Sequence, residues 1–162
     1  MAPDYQFRRF GAADFALIRQ WLVMPHVVEW WGDPDQQFEL VSGDLAEPAM
    51  DQFIVSLDGE PFGYLQSYDL RSWSDPGLGP QPDGTRAIDQ FIGEPSMVGC
   101  GHGSGFIGRF TADLLRQGIP RVITDPDPAN ARAIRAYQKA GFARDRIVAT
   151  VDGPALLMVR QP

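Results

Sequence analysis

Cysteine occurs once in 162 residues, as Cys100, so no internal disulfide can form and the chain suits a reducing compartment. Two histidines, His26 and His102, leave too few ligands for a zinc site, and no metal is expected. Positive charge is also short: 14 Lys and Arg against 21 Asp and Glu give a net charge of −7. Nucleic acid and anionic lipid need more cations than that to displace their counterions, whereas a cationic small molecule is favoured. No apolar run approaches the ~20 residues of a membrane span. The opening MAPDYQFRRF has no apolar signal core. The expectation is a cytoplasmic protein with neither nucleic-acid nor membrane partners. Repeats and low-complexity tracts are absent too. With 44% hydrophobic and 22% charged residues, the chain reads as one globular domain, 1–162, with one core.

Periodicity gives the elements. YQFRRF alternates like a strand, and Ala12 to Met24 place Phe15, Ile18, Trp21 and Leu22 on one helical face. PHVVEWWG follows as an aromatic knot, then a helix through DQQFELVSGDLA. Asp58-Gly59-Glu60 joins QFIVSL to PFGYLQSYDL as a hairpin. Residues 71–84, RSWSDPGLGPQPDG, have no period and read as a long surface loop. TRAIDQFIG is a strand, Gly103 to Gln117 a helix ending at Gly118, and RVITDP a strand. In DPANARAIRAYQKAG, Asp127 is the expected N-cap, Pro128 the first helical residue and Gly141 the C-cap. A second hairpin turns at Asp152-Gly153-Pro154. The order β-α-α-β-β-β-α-β-α-β-β is a mixed α+β sheet.

The stretch GEPSMVGCGHGSGFIGRF has glycines at 99, 101, 103 and 105. A dinucleotide fingerprint fails, because the sixth position from Gly99 is Ser104 and from Gly101 is Phe106. A Walker loop fails because Arg109 and Phe110 follow Gly108. Two readings stand: a turn whose backbone N–H groups over residues 99–104 receive a pyrophosphate at a helix N-terminus, or a plain flexible turn. The strand RAIDQFIG buries alternate residues yet places Asp89 between Ala87 and Phe91, which costs energy unless the carboxylate is used. Tyr137 lies on the apolar face of its helix, either as core or as a working phenol. Asp125 and Asp152 either cap turns, as DP and DG do, or supply acidic groups.

PHVVEWWG, GEPFGYLQSY, RAIDQFIG, GCGHGSG, TDPDPANARAIRAYQKAGF and VDGPALLMV, in this order from Phe7 to Val159, resemble the GNAT superfamily of acetyl-CoA-dependent N-acetyltransferases. Within it they are similar to the aminoglycoside 6′-N-acetyltransferases, the enzymes of antibiotic resistance. The resemblance implies a GNAT-type, mostly antiparallel central sheet flanked by helices, acetyl-CoA as cofactor and a cationic amine as acceptor, in a monomer or homodimer. It implies Asp89 as active-site carboxylate and Tyr137 as the phenol beside the cofactor sulfur. Gly99, Gly101, Gly103 and Ser104 would hold the pyrophosphate, with Val98, Cys100 and His102 in the same loop. The backbone of Phe91 and Ile92 would pair with the pantetheine arm, and Asn130 and Ala133 would meet the cofactor at a helix start. Asp89, Asp125 and Asp152 would take the acceptor's amines, with Trp30, Gln66 and Tyr68 lining its side.

The chain departs from the family in three places. Val98 stands where Gln or Arg usually begins the loop, Cys100 stands where a basic residue is common, and loop 71–84 keeps only Trp73 and Asp75 of an acidic, tryptophan-rich segment. The altered loop leaves a hydroxylysine-type siderophore precursor or a protein amine as alternative acceptors. A non-catalytic acyl-CoA-binding or drug-binding module is a third reading, against which Asp89 and Tyr137 speak.

Overall fold

The computed structural model describes residues 2–72 and 77–162. Trp73 and Asp75 therefore lie outside the described residues. Among these the elements run β1 (Tyr5–Arg9), α1 (Phe15–Leu22), α2 (Pro25–Trp31), α3 (Pro34–Gly43), β2 (Met50–Leu57), β3 (Glu60–Asp69), β4 (Arg86–Ile92), α4 (His102–Arg116), β5 (Val122–Thr124), α5 (Ala131–Lys139), β6 (Ala143–Thr150) and β7 (Gly153–Arg160). The strands form one sheet in the order β1-β2-β3-β4-β5-β7-β6. This is the expected α+β architecture. The chain divides into two compact units, Met1–Gln66 with Gln90–Cys100, and Ser67–Asp89 with Gly101–Pro162.

In the first unit β1 and β2 pair antiparallel from Tyr5↔Leu57 to Arg9↔Phe53. A 3-10 turn over Ala12–Asp14 feeds α1, so the helix expected from Ala12 is tightened at its start. Asp14 is buried there, yet satisfied: Arg8 donates two hydrogen bonds at 2.9 and 3.0 Å and the Gly11 N–H a third at 3.0 Å. These donors hold its carboxyl below the usual range, the Arg8 hydrogen bond most of all.

The aromatic knot is a helix, which makes three helices between the first two strands where the sequence suggested two. Pro25 occupies its first turn, and Gly32 ends it at φ 87°. Two valines and two tryptophans are weak helix formers. Packing overrides them: Val27 is buried, and the Trp31 ring meets Phe91 at 5.0 Å and Tyr64 at 6.3 Å. In α3, Asp33 caps the helix by accepting from the Gln36 N–H at 2.9 Å. Asp58 (φ 53°) and Gly59 (φ 79°) both take positive φ between β2 and β3, the two-residue hairpin turn expected from Asp-Gly. The core gathers Phe10, Ile18, Trp21, Leu22, Ile54 and Phe91 around Tyr64.

In the second unit β4 and β5 pair in parallel, Arg86↔Val122 and Ala87↔Ile123. β7 lies antiparallel to both β5 and β6. Leu70, Leu78, Ala87, Ile123, Val148, Ala155 and Leu157 form its core. Leu78 belongs to the segment expected as surface loop but is buried, and its carbonyl accepts from the Arg146 guanidinium at 3.2 Å. The start of α5 is also corrected. Asn130 is the N-cap, accepting from the Ala133 N–H at 3.2 Å. Asp127 instead closes the preceding turn, its side chain accepting from the Ala129 N–H at 2.8 Å, so Pro128 stands in that turn rather than in the helix. The C-cap of α5 is Ala140 rather than Gly141, which follows it at φ 103° where the chain leaves the helix.

Candidate active site

The parallel pair of the second unit determines where its carboxylates stand. Arg86 pairs with Val122 and Ala87 with Ile123, an offset of 36 residues (122 − 86). The buried Thr124 keeps that offset, its hydroxyl donating to the Ile88 carbonyl at 3.1 Å. Asp89 and Asp125 are the residues that follow Ile88 and Thr124. Burial raises the Asp125 carboxyl to about 7, and the charges of Asp89 and Asp152 push in the same direction. Asp89 and Asp125 are half-buried and Asp152 is exposed in the β6–β7 turn. Two acids 36 and 27 residues away in sequence (125 − 89 and 152 − 125) thus act on Asp125. Thr124, whose only sequence signal is a hydroxyl at the end of the apolar run Val122-Ile123, was not anticipated as the residue that locks this register.

Tyr137 lies with Ile134 on the buried face of α5, its ring 5.5 Å from Phe142. The phenol is buried, so packing accounts for its ring. Asn130 spends its side-chain oxygen on the helix cap, and Ala133 donates to it. Tyr68 packs against the core of the same unit.

α4 begins at His102 with Gly101 as N-cap, at φ 84° and without a side-chain cap. The first intrahelical bond runs from the Gly105 N–H to the Gly101 carbonyl at 3.2 Å. Helix geometry therefore gives the N–H groups of residues 102–104 no intrahelical acceptor. The Ser104 hydroxyl donates to the Gly101 carbonyl at 3.1 Å. Positive φ falls on Gly99 (75°) and Gly101, while Gly103 is helical. The turn thus uses two of the glycines for conformation, and open space surrounds the position of a side chain at each. The helix dipole and bare glycine backbone fit a diphosphate.

In the first unit, Val98 is half-buried, and the Cys100 thiol, exposed, lies 3.6 Å from the Val98 carbonyl and 3.7 Å from that of Ser96. The Phe91 ring sits in the core. The Ile92 carbonyl accepts from Nε2 of His26 at 2.8 Å, a contact that sequence reasoning had no signal to find. Trp30 is the exposed member of the tryptophan pair, at 40%. Gln66 is half-buried and its side-chain oxygen accepts from the Tyr64 hydroxyl at 2.8 Å.

A family profile described as the acetyltransferase (GNAT) domain matches residues 11–150. The chain belongs to the GNAT acetyltransferase family. This GNAT chain is 39% identical over 157 residues to an aminoglycoside N(6′)-acetyltransferase type 1 of Klebsiella pneumoniae, covering 91% of its own length and 78% of the relative's. Among solved structures, the aminoglycoside acetyltransferase AAC(6′)-Ib in complex with coenzyme A and kanamycin superposes with a TM-score of 0.88. Its identity is 36%, over 98% of this GNAT chain and 95% of that one. A structure of AAC(6′)-Ib with acetyl-CoA gives the same TM-score and identity over 98% and 93% of the two chains.

Proposed function

We propose that this chain transfers the acetyl group of acetyl-CoA to an amine of a cationic aminoglycoside, the 6′-amine. The observation that carries the reading is the burial of Asp125 in the second unit with the charges of Asp89 and Asp152 acting on it, within a chain 36–39% identical to enzymes named for that reaction. A polycation suits such a group, because each charge-assisted hydrogen bond contributes about 1.5–3 kcal/mol net.

The residues divide the work. Acetyl-CoA supplies an activated acyl carbon and a thiol leaving group. The N-terminus of α4 would hold its diphosphate with backbone donors and the helix dipole, without a lysine. Burial first and then the charge of Asp89 raise Asp125 to about 7, so Asp125 holds a proton near neutrality far more readily than an ordinary carboxyl does. An ionised Asp near 3.9 is a poor base toward an ammonium near 10.4. Direct abstraction over the ~5 units left after allowing for a less basic aminosugar is uphill by about 7 kcal/mol. Asp89 therefore orients the amine and passes its proton through water once attack has made the nitrogen acidic. Tyr137 would donate toward the departing sulfur, where a phenol near 10 and a thiol near 8.5 differ by only about 1.5 units.

The test is a thiol-release assay with acetyl-CoA and kanamycin, with NMR of the product. Amine-dependent thiol release and an acetamide at the 6′ position are expected. Thiol release that is independent of the amine, or none, contradicts the proposal.

A further inference from the structure

The end of β4 is held from three directions inside the first unit. From β3, the Phe62 carbonyl accepts from two successive amides, Gly93 at 2.8 Å and Glu94 at 3.2 Å. Two residues opposite one make a bulge, which bends the strand and disrupts its ladder. From α1, the Trp21 indole packs on Gly93 and its Nε1 donates to Glu94 at 2.9 Å. From α2, Nε2 of His26 lies 2.8 Å from the Ile92 carbonyl. Gly93 and Trp21 are buried, whereas His26 and Ile92 are half-buried, so the third contact lies at the margin of the core.

The Ile92 carbonyl and the Gly93 N–H belong to one peptide unit. In a trans peptide these two groups point in opposite directions. The N–H is directed at Phe62 on β3, so the carbonyl is directed away from β3, and there it meets His26. A carbonyl only accepts, so Nε2 of His26 carries the proton. The unit is thus gripped at both ends, by the backbone of β3 and by a side chain of α2. A carbonyl oxygen has two lone pairs, and the grip takes one of them.

We infer that His26 is a positioning residue for the cofactor: it fixes the peptide after Ile92, and with it the backbone along which the pantetheine arm of acetyl-CoA is laid like an added strand. The inference rests on the reading of the Ile92 backbone as the partner of that arm, and it gives His26 no part in the chemistry. An added strand draws its affinity from main-chain hydrogen bonds, which weaken steeply as their angles close. Releasing the peptide plane therefore costs binding of the arm and spares binding of the nucleotide.

The experiment is calorimetry on the full chain with two ligands, coenzyme A and 3′-phospho-ADP, the nucleotide half of the cofactor without the arm. His26→Ala should weaken coenzyme A by roughly five- to tenfold, the scale of one hydrogen bond, and leave the nucleotide within about twofold. His26→Gln, whose amide nitrogen can donate from the position of Nε2, should restore coenzyme A to within about twofold of wild type. A general structural loss would weaken both ligands together and would not respond to an N–H in the new side chain. Urea unfolding checks that the variants fold, and His26→Leu, of closer volume and without a donor, takes the place of His26→Ala should the latter unfold. Where the nucleotide alone binds too weakly to measure, the difference between His26→Ala and His26→Gln decides. Wild-type affinity in a folded variant without the donor, equal weakening of both ligands, or no rescue by His26→Gln overturns the role of His26 and leaves the proposed function standing. A wild type that binds no coenzyme A brings down this inference together with the proposed function.

Discussion

Asp125 follows the last residue of β5, and the charge of Asp89 on β4 acts on its buried carboxyl. The two carboxyls cannot ionise independently. Burial first, then the charge of Asp89, then that of Asp152 raise Asp125 to about 7. A carboxyl raised above its unfolded value near 3.9 binds its proton more tightly in the folded chain. Its contribution to stability is therefore present in full below about pH 4, declines as pH rises toward 7, and is gone above it. Asp14 acts in the opposite sense: the hydrogen bond from Arg8 lowers it, and its contribution is lost as pH falls below the unfolded value. Thermal melts of the ligand-free protein should accordingly show Tm falling from pH 5 to pH 8. Asp125→Asn should flatten that fall, restoring about 2–4 °C at pH 8 for each kcal/mol relieved. An equal fall in the variant refutes this assignment.

Binding of a polycation should draw the proton off Asp125. Affinity for an aminoglycoside, measured by calorimetry in buffers of different ionisation enthalpy, should include proton release by the protein near pH 7. Subtracting the ligand's own amine titration isolates it. Asp125→Asn should abolish that component and weaken binding by roughly tenfold, the scale of one charge-assisted hydrogen bond.

Gly93 packs against the Trp21 indole, and a Cβ there would overlap the ring. Trp21 is buried and its Nε1 donates to Glu94 at 2.9 Å. Gly93→Ala must displace the indole or the strand end. Urea unfolding should show a loss of about 1–3 kcal/mol with a shifted tryptophan emission. Wild-type stability in the variant would mean that the ring has room to move.

Gly101 stands at φ 84° with nothing near the position of its missing side chain. Gly101→Ala thus meets backbone strain and no clash, about 1–2 kcal/mol. If the start of α4 holds the diphosphate, KM for acetyl-CoA should rise several-fold while kcat at saturation holds. An unchanged KM would place the diphosphate elsewhere.

Much of this protein is written in local pattern. Asp58-Gly59 announces its turn, because both residues need positive φ. The alternation through Arg86–Ile92 announces a strand with an acid in it. Other features depend on partners distant in sequence. Pro25–Trp31 is helical because Trp31 lands on Tyr64 and Phe91, and no period of the segment itself shows that. Asn130 wins the cap from Asp127 because the Asp side chain is already engaged in its own turn. For the site, the acids at 89, 125 and 152 were named from family likeness. That the charge of Asp89 reaches Asp125 depends on the parallel pairing of β4 with β5, which no local pattern shows.

Tyr137 is the residue whose two readings differ most. It is buried against Phe142, so Tyr137→Phe should leave stability within about 1 kcal/mol of wild type. A role toward the departing sulfur predicts a loss of at least tenfold in kcat with acetyl-CoA. A full rate in the variant makes the tyrosine a packing residue.

The account stands most directly on Asp89. Steady-state thiol release from acetyl-CoA with kanamycin, compared between wild type and Asp89→Asn, is the deciding measurement, with coenzyme A binding followed by calorimetry as the check on folding. The variant should bind coenzyme A as the wild type does and lose about two orders of magnitude or more in kcat. Undiminished turnover in a variant that binds coenzyme A normally would contradict it.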